Sequence, residues 1–268
     1  MLFNYNDREF PIETKWVKSC LFIAVSGSNS FGWDKPNSDL DLVHVWMPLI
    51  ENLISPFWGA NKNRHSIHGD MDRREYPIQN FLRLLAKGNG NALDNLFEPK
   101  LYEMKEQVKE LQDIVKTHIH KGFIHHCLGY SKSIKKDFDI SSRVETTGLH
   151  KLILTRYRVL LQGFCLLDGK IEYNLPRLLK IVSKTDWASP IAEKVLDDYL
   201  ASENNNILKQ SKLLIAAKLD TDTLHEMLEV ELSDSLIEHS TIEVPLDRWM
   251  IRFYNKNPEY ERYLKRGN

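Results

Sequence analysis

Two aspartates, Asp39 and Asp41, stand two residues apart in Ser38-Asp39-Leu40-Asp41-Leu42. On an extended strand such residues share a face and lie roughly 6.5–7 Å apart at the usual rise. Carboxylates at that separation can converge on one divalent cation or bridge two, because two-metal sites hold their ions about 3.5–4 Å apart. Leu40, Leu42, Val43 and Val45 mark the strand as buried, and an unpaired acid is costly there. Upstream, Gly27-Ser28 directly follows the apolar run 21–25. Glycine at a strand end permits a tight turn and close approach of backbone to a ligand. A serine hydroxyl and the free N–H groups of a following helix can hold a phosphate. Alone, that pair reads as an ordinary turn. A third acid is available from Asp70 or Asp72 in the segment 65–76. Spacing does not choose between them, and Asp70-Met71-Asp72-Arg73-Arg74-Glu75 reads equally well as a charged loop.

These groups need elements to hold them. Residues 21–25 and 40–47 read as buried strands, the second ending at Pro48, and 65–76 reads as a third, more polar strand. Pro77 suits the first turn of a helix whose apolar face is Phe81, Leu82, Leu84 and Leu85. Beyond residue 100 apolar residues recur every three or four positions, predicting helices over 100–120, 123–136, 145–167, 188–200, 207–217 and 246–254. The expected fold class is α+β: a small mixed-sheet head over 1–100, then an all-helical domain over 101–268.

Composition narrows the function classes. With 268 residues the chain is long enough for a sizeable core. A formal net charge of -1 gives no global field of the kind that non-specific nucleic-acid binding uses. The three cysteines, Cys20, Cys127 and Cys165, have neither disulfide-framework nor metal-ligand spacing and read as core. No secretory signal opens the chain and no apolar stretch is long enough to span a bilayer, so the expected compartment is the cytoplasm, with no membrane partner. His118, His120, His125 and His126 lack a zinc-like order. Trp249, Phe253 and Tyr254 have helical spacing and read as core, and Lys132, Lys135 and Lys136 as a solvated helix face.

Taken jointly, Gly27-Ser28, a spacer containing Gly32, and Ser38 through Leu42 resemble the signature of the DNA polymerase beta-type nucleotidyltransferase superfamily. A longer stretch narrows the likeness. Residues 72–78, 81–89 and 92–97, with Gly129-Tyr130 and with Lys151, Arg158 and Gly169, resemble the RNA-repair-pathway polymerase-beta family, RlaP. The resemblance covers roughly residues 20 to 170. It favours Asp72 over Asp70, because Asp72 stands four residues before Tyr76 as the family's acid stands before its tyrosine. Three departures accompany it: Asp94 where the family has Glu, Asn91 after Gly90 where Asn-Pro is common, and Thr155 in place of a second His.

The resemblance implies nucleotidyl transfer from a nucleoside triphosphate such as ATP. Asp39, Asp41 and Asp72 would be the catalytic and metal-binding residues for Mg2+ or Mn2+. Gly27 and Ser28 would grip the phosphates, with Lys151 and Arg158 closing on them. Lys151, Thr155, Arg158 and Gln162 form one polar stripe of a mainly apolar helix, which suits that role; a solvated face is the plainer reading of the spacing. The family name points to RNA repair and so to an RNA or tRNA end as acceptor; a protein hydroxyl or a small molecule stays open, as does the oligomeric state. Two rivals use the same residues: a non-catalytic nucleotide- or RNA-binding regulatory module, and a nuclease or phosphohydrolase.

Overall fold

A computed structural model describes residues 2–5, 8–11, 20–36, 38–48, 62–68, 71–140, 148–202 and 212–256. Two short strands, β1 (Leu2–Tyr5) and β2 (Arg8–Pro11), pair with each other. The head is a mixed five-stranded sheet of order β5-β6-β4-β3-β7. Its strands are β3 (Cys20–Ser26), β4 (Leu40–Trp46), β5 (Arg64–His68), β6 (Met71–Pro77) and β7 (Lys100–Glu103). Only β4 and β6 run parallel; the other pairings are antiparallel.

The helices are α1 (Ser28–Phe31), α2 (Ile78–Ala86), α3 (Gly90–Phe97), α4 (Lys105–Thr117), α5 (Lys121–Asp137), α6 (Leu149–Leu167), α7 (Leu175–Val182), α8 (Pro190–Ala201), α9 (Lys212–Asp234) and α10 (Glu243–Lys256). The architecture is therefore α+β with a helical C-terminal part. Polar residues start the helices where the sequence offers them. Asn89, His120, Asn174 and Ser189 accept hydrogen bonds from the amides of Ala92, Gly122, Arg177 and Ala192, satisfying first-turn donors. Helix α6 is buried nearly all round, as befits a central helix, and it packs on α5, α7, α8 and α9. One apolar cluster runs from Leu21 on β3 through α6 to Tyr254 on α10; Trp249, Phe253 and Tyr254 belong to it as expected. The three cysteines are buried and free. No described helix is long and apolar enough to cross a membrane.

Three expectations change. Segment 65–76 is not one strand but the antiparallel pair of β5 and β6; residues 69–70, Asp70 among them, lie outside the described residues. The helix expected over 100–120 yields its start to β7, because Leu101 joins Cys20, Ile23, Val25, Leu40 and Leu42 in a second apolar cluster and the strand pairs with β3. The helix expected over 207–217 is the start of a longer one, α9, whose pattern runs to Asp234; residues 207–211 lie outside the described set, as do residues 145–147 of the helix expected over 145–167.

Candidate active site

Sheet register assembles the site. Ser26 at the end of β3 is the partner of Asp41 on β4, and Asp41 is the partner of Asp72 on β6. Register partners project to the same face, so Ser26, Asp41 and Asp72 form a row across three strands. Alternation along β6 adds Arg74 and Tyr76 to that face. The opposite face carries the second apolar cluster, so slipping β4 by one residue would bury Asp41 in hydrocarbon.

Above this face lies a cavity of about 430 Å³, walled by the sheet, the Gly27-Ser28 turn and helices α3, α5 and α6. Gly27, Ser28, Asp41 and Asp72 line it from the sheet side; Asn95, Tyr130, Lys151, Thr155 and Arg158 line it from the helices. Asp39 stands just before β4 and is exposed, its carbonyl accepting from Asn29 Nδ2 at 2.7 Å. Asp72 Oδ1 lies 2.6 Å from His65 Nε2, a contact across the strand pair that fixes the carboxylate's orientation.

Gly27 adopts φ 68° and ψ -150°, a conformation that side chains exclude. A Cβ there would sit 1.9 Å from Asp41 Oδ2. The turn thus touches the carboxylate directly, and only glycine lets it. Gly27→Ala is expected to cost about 1–3 kcal/mol in backbone strain alone and to push Asp41 out of the row. A thermal melt alongside a nucleotide titration checks both effects; an unchanged pair of curves would contradict the geometry.

The electrostatics favour a cation. Burial pushes the Asp41 carboxyl above its ordinary range, and the neighbouring Asp72 and Asp39 push it further, while Arg74 and Lys151 oppose them. Mutually repelling carboxylate oxygens are the donors that Mg2+ and Mn2+ take, so the residues present fit a hard divalent ion. Among the described residues no three His, Cys, Asp or Glu side chains are gathered tightly enough to hold one: Asp41 and Asp72 are in register, and Asp39 is displaced toward solvent.

On α6 the two expected cations differ. Lys151 lines the cavity. Arg158 lines it too, but is only 2% exposed and its Nη1 lies 2.8 Å from Asp94 Oδ2. Gln162 donates to the other oxygen of Asp94, and the Arg158 guanidinium stacks 3.9 Å from the Phe31 ring. The Thr155 hydroxyl bonds its own helix at the Lys151 carbonyl. Arg156, off the polar stripe, pairs with Asp222 on α9 at 2.7 Å. Sequence reasoning passed over Arg74, Asn95 and Glu98, all in the cavity wall. The period-two alternation that links Asp72 to Tyr76 also selects Arg74; nothing local selects the other two.

The family model of the RNA repair pathway DNA polymerase beta family, RlaP, matches residues 7–247. The chain belongs to that family. Its lineage is thereby that of the DNA polymerase beta type. An uncharacterized protein of Methanocaldococcus jannaschii is 26% identical over 156 residues, spanning 57% of this chain and 62% of that protein; the RlaP chain thus spans less than two thirds of that relative's length. A solved nucleotidyltransferase-like protein from Exiguobacterium sibiricum is similar at 13% identity, covering 80% of this chain and 71% of that one with a TM-score of 0.32.

Proposed function

We propose that this RlaP-family chain transfers a nucleoside monophosphate from a nucleoside triphosphate to an acceptor hydroxyl, in a reaction that depends on Mg2+ or Mn2+. The observation that carries the reading is the row Ser26–Asp41–Asp72, with the Gly27-Ser28 turn against its first acid and Lys151 lining the same cavity. Acids that repel one another beside a turn able to hold phosphate suit a metal–triphosphate complex better than either part alone.

In this reading residues 1–100 are the catalytic unit, completed by strand β7, and residues 101–268 supply Lys151. Asp39, Asp41 and Asp72 would hold the ion. When bound, it supplies Lewis-acid activation of the acceptor hydroxyl and neutralises charge on the leaving pyrophosphate. Asp72, which His65 contacts at 2.6 Å, would accept the acceptor's proton. The Gly27-Ser28 turn orients the phosphates in line for attack. Lys151 offsets their charge as a point cation. Arg158 adds to this from deeper in the wall, with Asp94 offsetting much of its charge. The family's name supports an RNA or tRNA end as acceptor.

Titration with a non-hydrolysable triphosphate, with and without Mg2+, tests the reading. Binding is expected to require the ion and to weaken on the order of tenfold in Lys151→Ala, the size of one lost charge-assisted contact. Equal binding with and without the ion, or no effect of Lys151→Ala, would count against it. A protein that binds the nucleotide but never transfers it would be the non-catalytic module on the same fold.

A further inference from the structure

Behind the Gly27-Ser28 turn the Ser30 hydroxyl stands between two acceptors. Its Oγ lies 3.2 Å from the Gly27 carbonyl oxygen and 2.9 Å from Glu98 Oε1, and its single hydrogen serves one of them at a time. The Gly27 carbonyl also accepts from the amides of Ser30 and Phe31, so the hydroxyl adds a third bond there. Ser26 Oγ lies 3.3 Å from both Asn95 Oδ1 and Glu98 Oε1. Ser30 is 4% and Glu98 2% exposed, and Glu98 Oε2 has no partner among the described residues, a setting that penalises a charged carboxylate. With a proton on Oε1, Glu98 donates to Ser30 Oγ, Ser30 gives its hydrogen to the Gly27 carbonyl, and Ser26 serves Asn95.

We propose that Glu98 is a positioning residue for the phosphate-holding turn: in its uncharged form it holds Ser30 so that Ser30 hydrogen-bonds the Gly27 carbonyl and fixes the turn. This rests on reading that turn as the triphosphate grip. When Glu98 ionises, its proton leaves to the buffer and Ser30 turns its hydrogen to the carboxylate. The Gly27 carbonyl loses that bond.

The surroundings keep the proton on at neutral pH. Burial, then Asp94, push the Glu98 carboxyl up to about 8, against Ser30, Lys100 and Arg158, which favour the charged form. The groups facing Glu98 are Ser26 on β3, Ser30 on α1, Asp94 and Asn95 on α3, Lys100 on β7, Arg158 on α6, and Tyr173 ahead of α7. Lys100 Nζ binds the backbone carbonyls of Asn95 and Glu98, and burial lowers its own pKa.

The test is the affinity of a non-hydrolysable triphosphate with Mg2+, measured from about pH 7.5 to 9.5, where the nucleotide's own phosphates are already ionised. If the uncharged form alone binds well, the affinity of the parent protein falls roughly twentyfold across that range. Glu98→Gln cannot ionise, keeps a donor toward Ser30, and is expected to bind tightly with a flat profile. Ser30→Ala breaks the link and is expected to bind more weakly at pH 7.5, with most of the fall removed. Melting curves of both variants confirm the fold. A Glu98→Gln profile that falls like the parent's would overturn the proposal, and so would a Ser30→Ala variant with the full parental fall. A parent protein that binds no triphosphate at any pH would overturn the functional reading and the positioning role together; binding with indistinguishable profiles in parent and Glu98→Gln overturns the positioning role alone.

Discussion

Asp41→Asn is expected to lower nucleotidyl transfer on the order of a thousandfold while leaving the fold at least as stable as the parent. The loss follows from its place in the row: Asp41 lies between Ser26 and Asp72 in the sheet register, so it is the carboxylate that the turn and the third acid share. Removing its charge removes the central donor for the ion and the orientation of the phosphates together. The stability side has the opposite sign. Burial and the neighbouring acids raise the Asp41 pKa, so above its ordinary carboxylate range the folded state holds a proton that the unfolded chain has already released. By linkage this contribution is fully present at low pH and is lost as pH rises through the raised value. Asparagine escapes that loss. Melts from about pH 4, near the ordinary carboxylate value, up to neutrality should therefore show the variant gaining on the parent as pH rises. A variant that loses activity by unfolding would contradict the assignment, because the acid would then be structural. Function held at a cost in stability is the ordinary condition of an active site.

Asp94→Ala is expected to destabilise the protein by about 3–5 kcal/mol, the cost of leaving a buried charge without its partner. Asp94 and Arg158 are each about 2% exposed along their side chains. Asp94 also binds Gln162, so one truncation strips partners from two side chains of α6. The melting midpoint should fall on the order of 10 °C. The double variant Asp94→Ala/Arg158→Met should recover much of that loss, because replacing a buried pair by apolar groups is often close to neutral. If the single and double variants melt alike, Arg158 is not held by Asp94 in the way the 2.8 Å contact requires. The pair also ties α3 to α6, and so sets how far Lys151 stands from the sheet. Nucleotide affinity in Asp94→Ala is expected to fall as well.

The strands at the heart of the head were readable from sequence because their patterns are strong. Leu21 through Val25 and Leu40 through Val45 are apolar runs with clear ends, and the Gly-Ser and Asp-x-Asp patterns sit at those ends. The pair of β5 and β6 was harder to see, since its residues are polar on both arms and carry no alternation. Strand β7 was hidden because Lys100–Glu103 merges with the helical spacing of α4; only the partner strand β3 reveals that it is extended. In the site, Asp41 and the turn were legible in residue type and spacing, and Asp72 only through the family resemblance; Asp39, expected on the buried strand, stands just before it and is exposed. The pairing of Arg158 with Asp94 was not legible, because the two meet through packing across the core. Glu98 follows α3 as an unremarkable acid before a proline, and its burial against Ser26 and Ser30 belongs to the tertiary structure.

The account stands or falls on the transfer itself. The direct measurement is incubation of the protein and of Asp41→Asn with α-labelled nucleoside triphosphates, Mg2+ or Mn2+, and a panel of RNA ends, following label in the acceptor and pyrophosphate in solution. The account predicts label transferred with an equal amount of pyrophosphate, dependent on the metal and lost in Asp41→Asn. Release of free phosphate without labelled acceptor, or equal product from parent and Asp41→Asn, would contradict it.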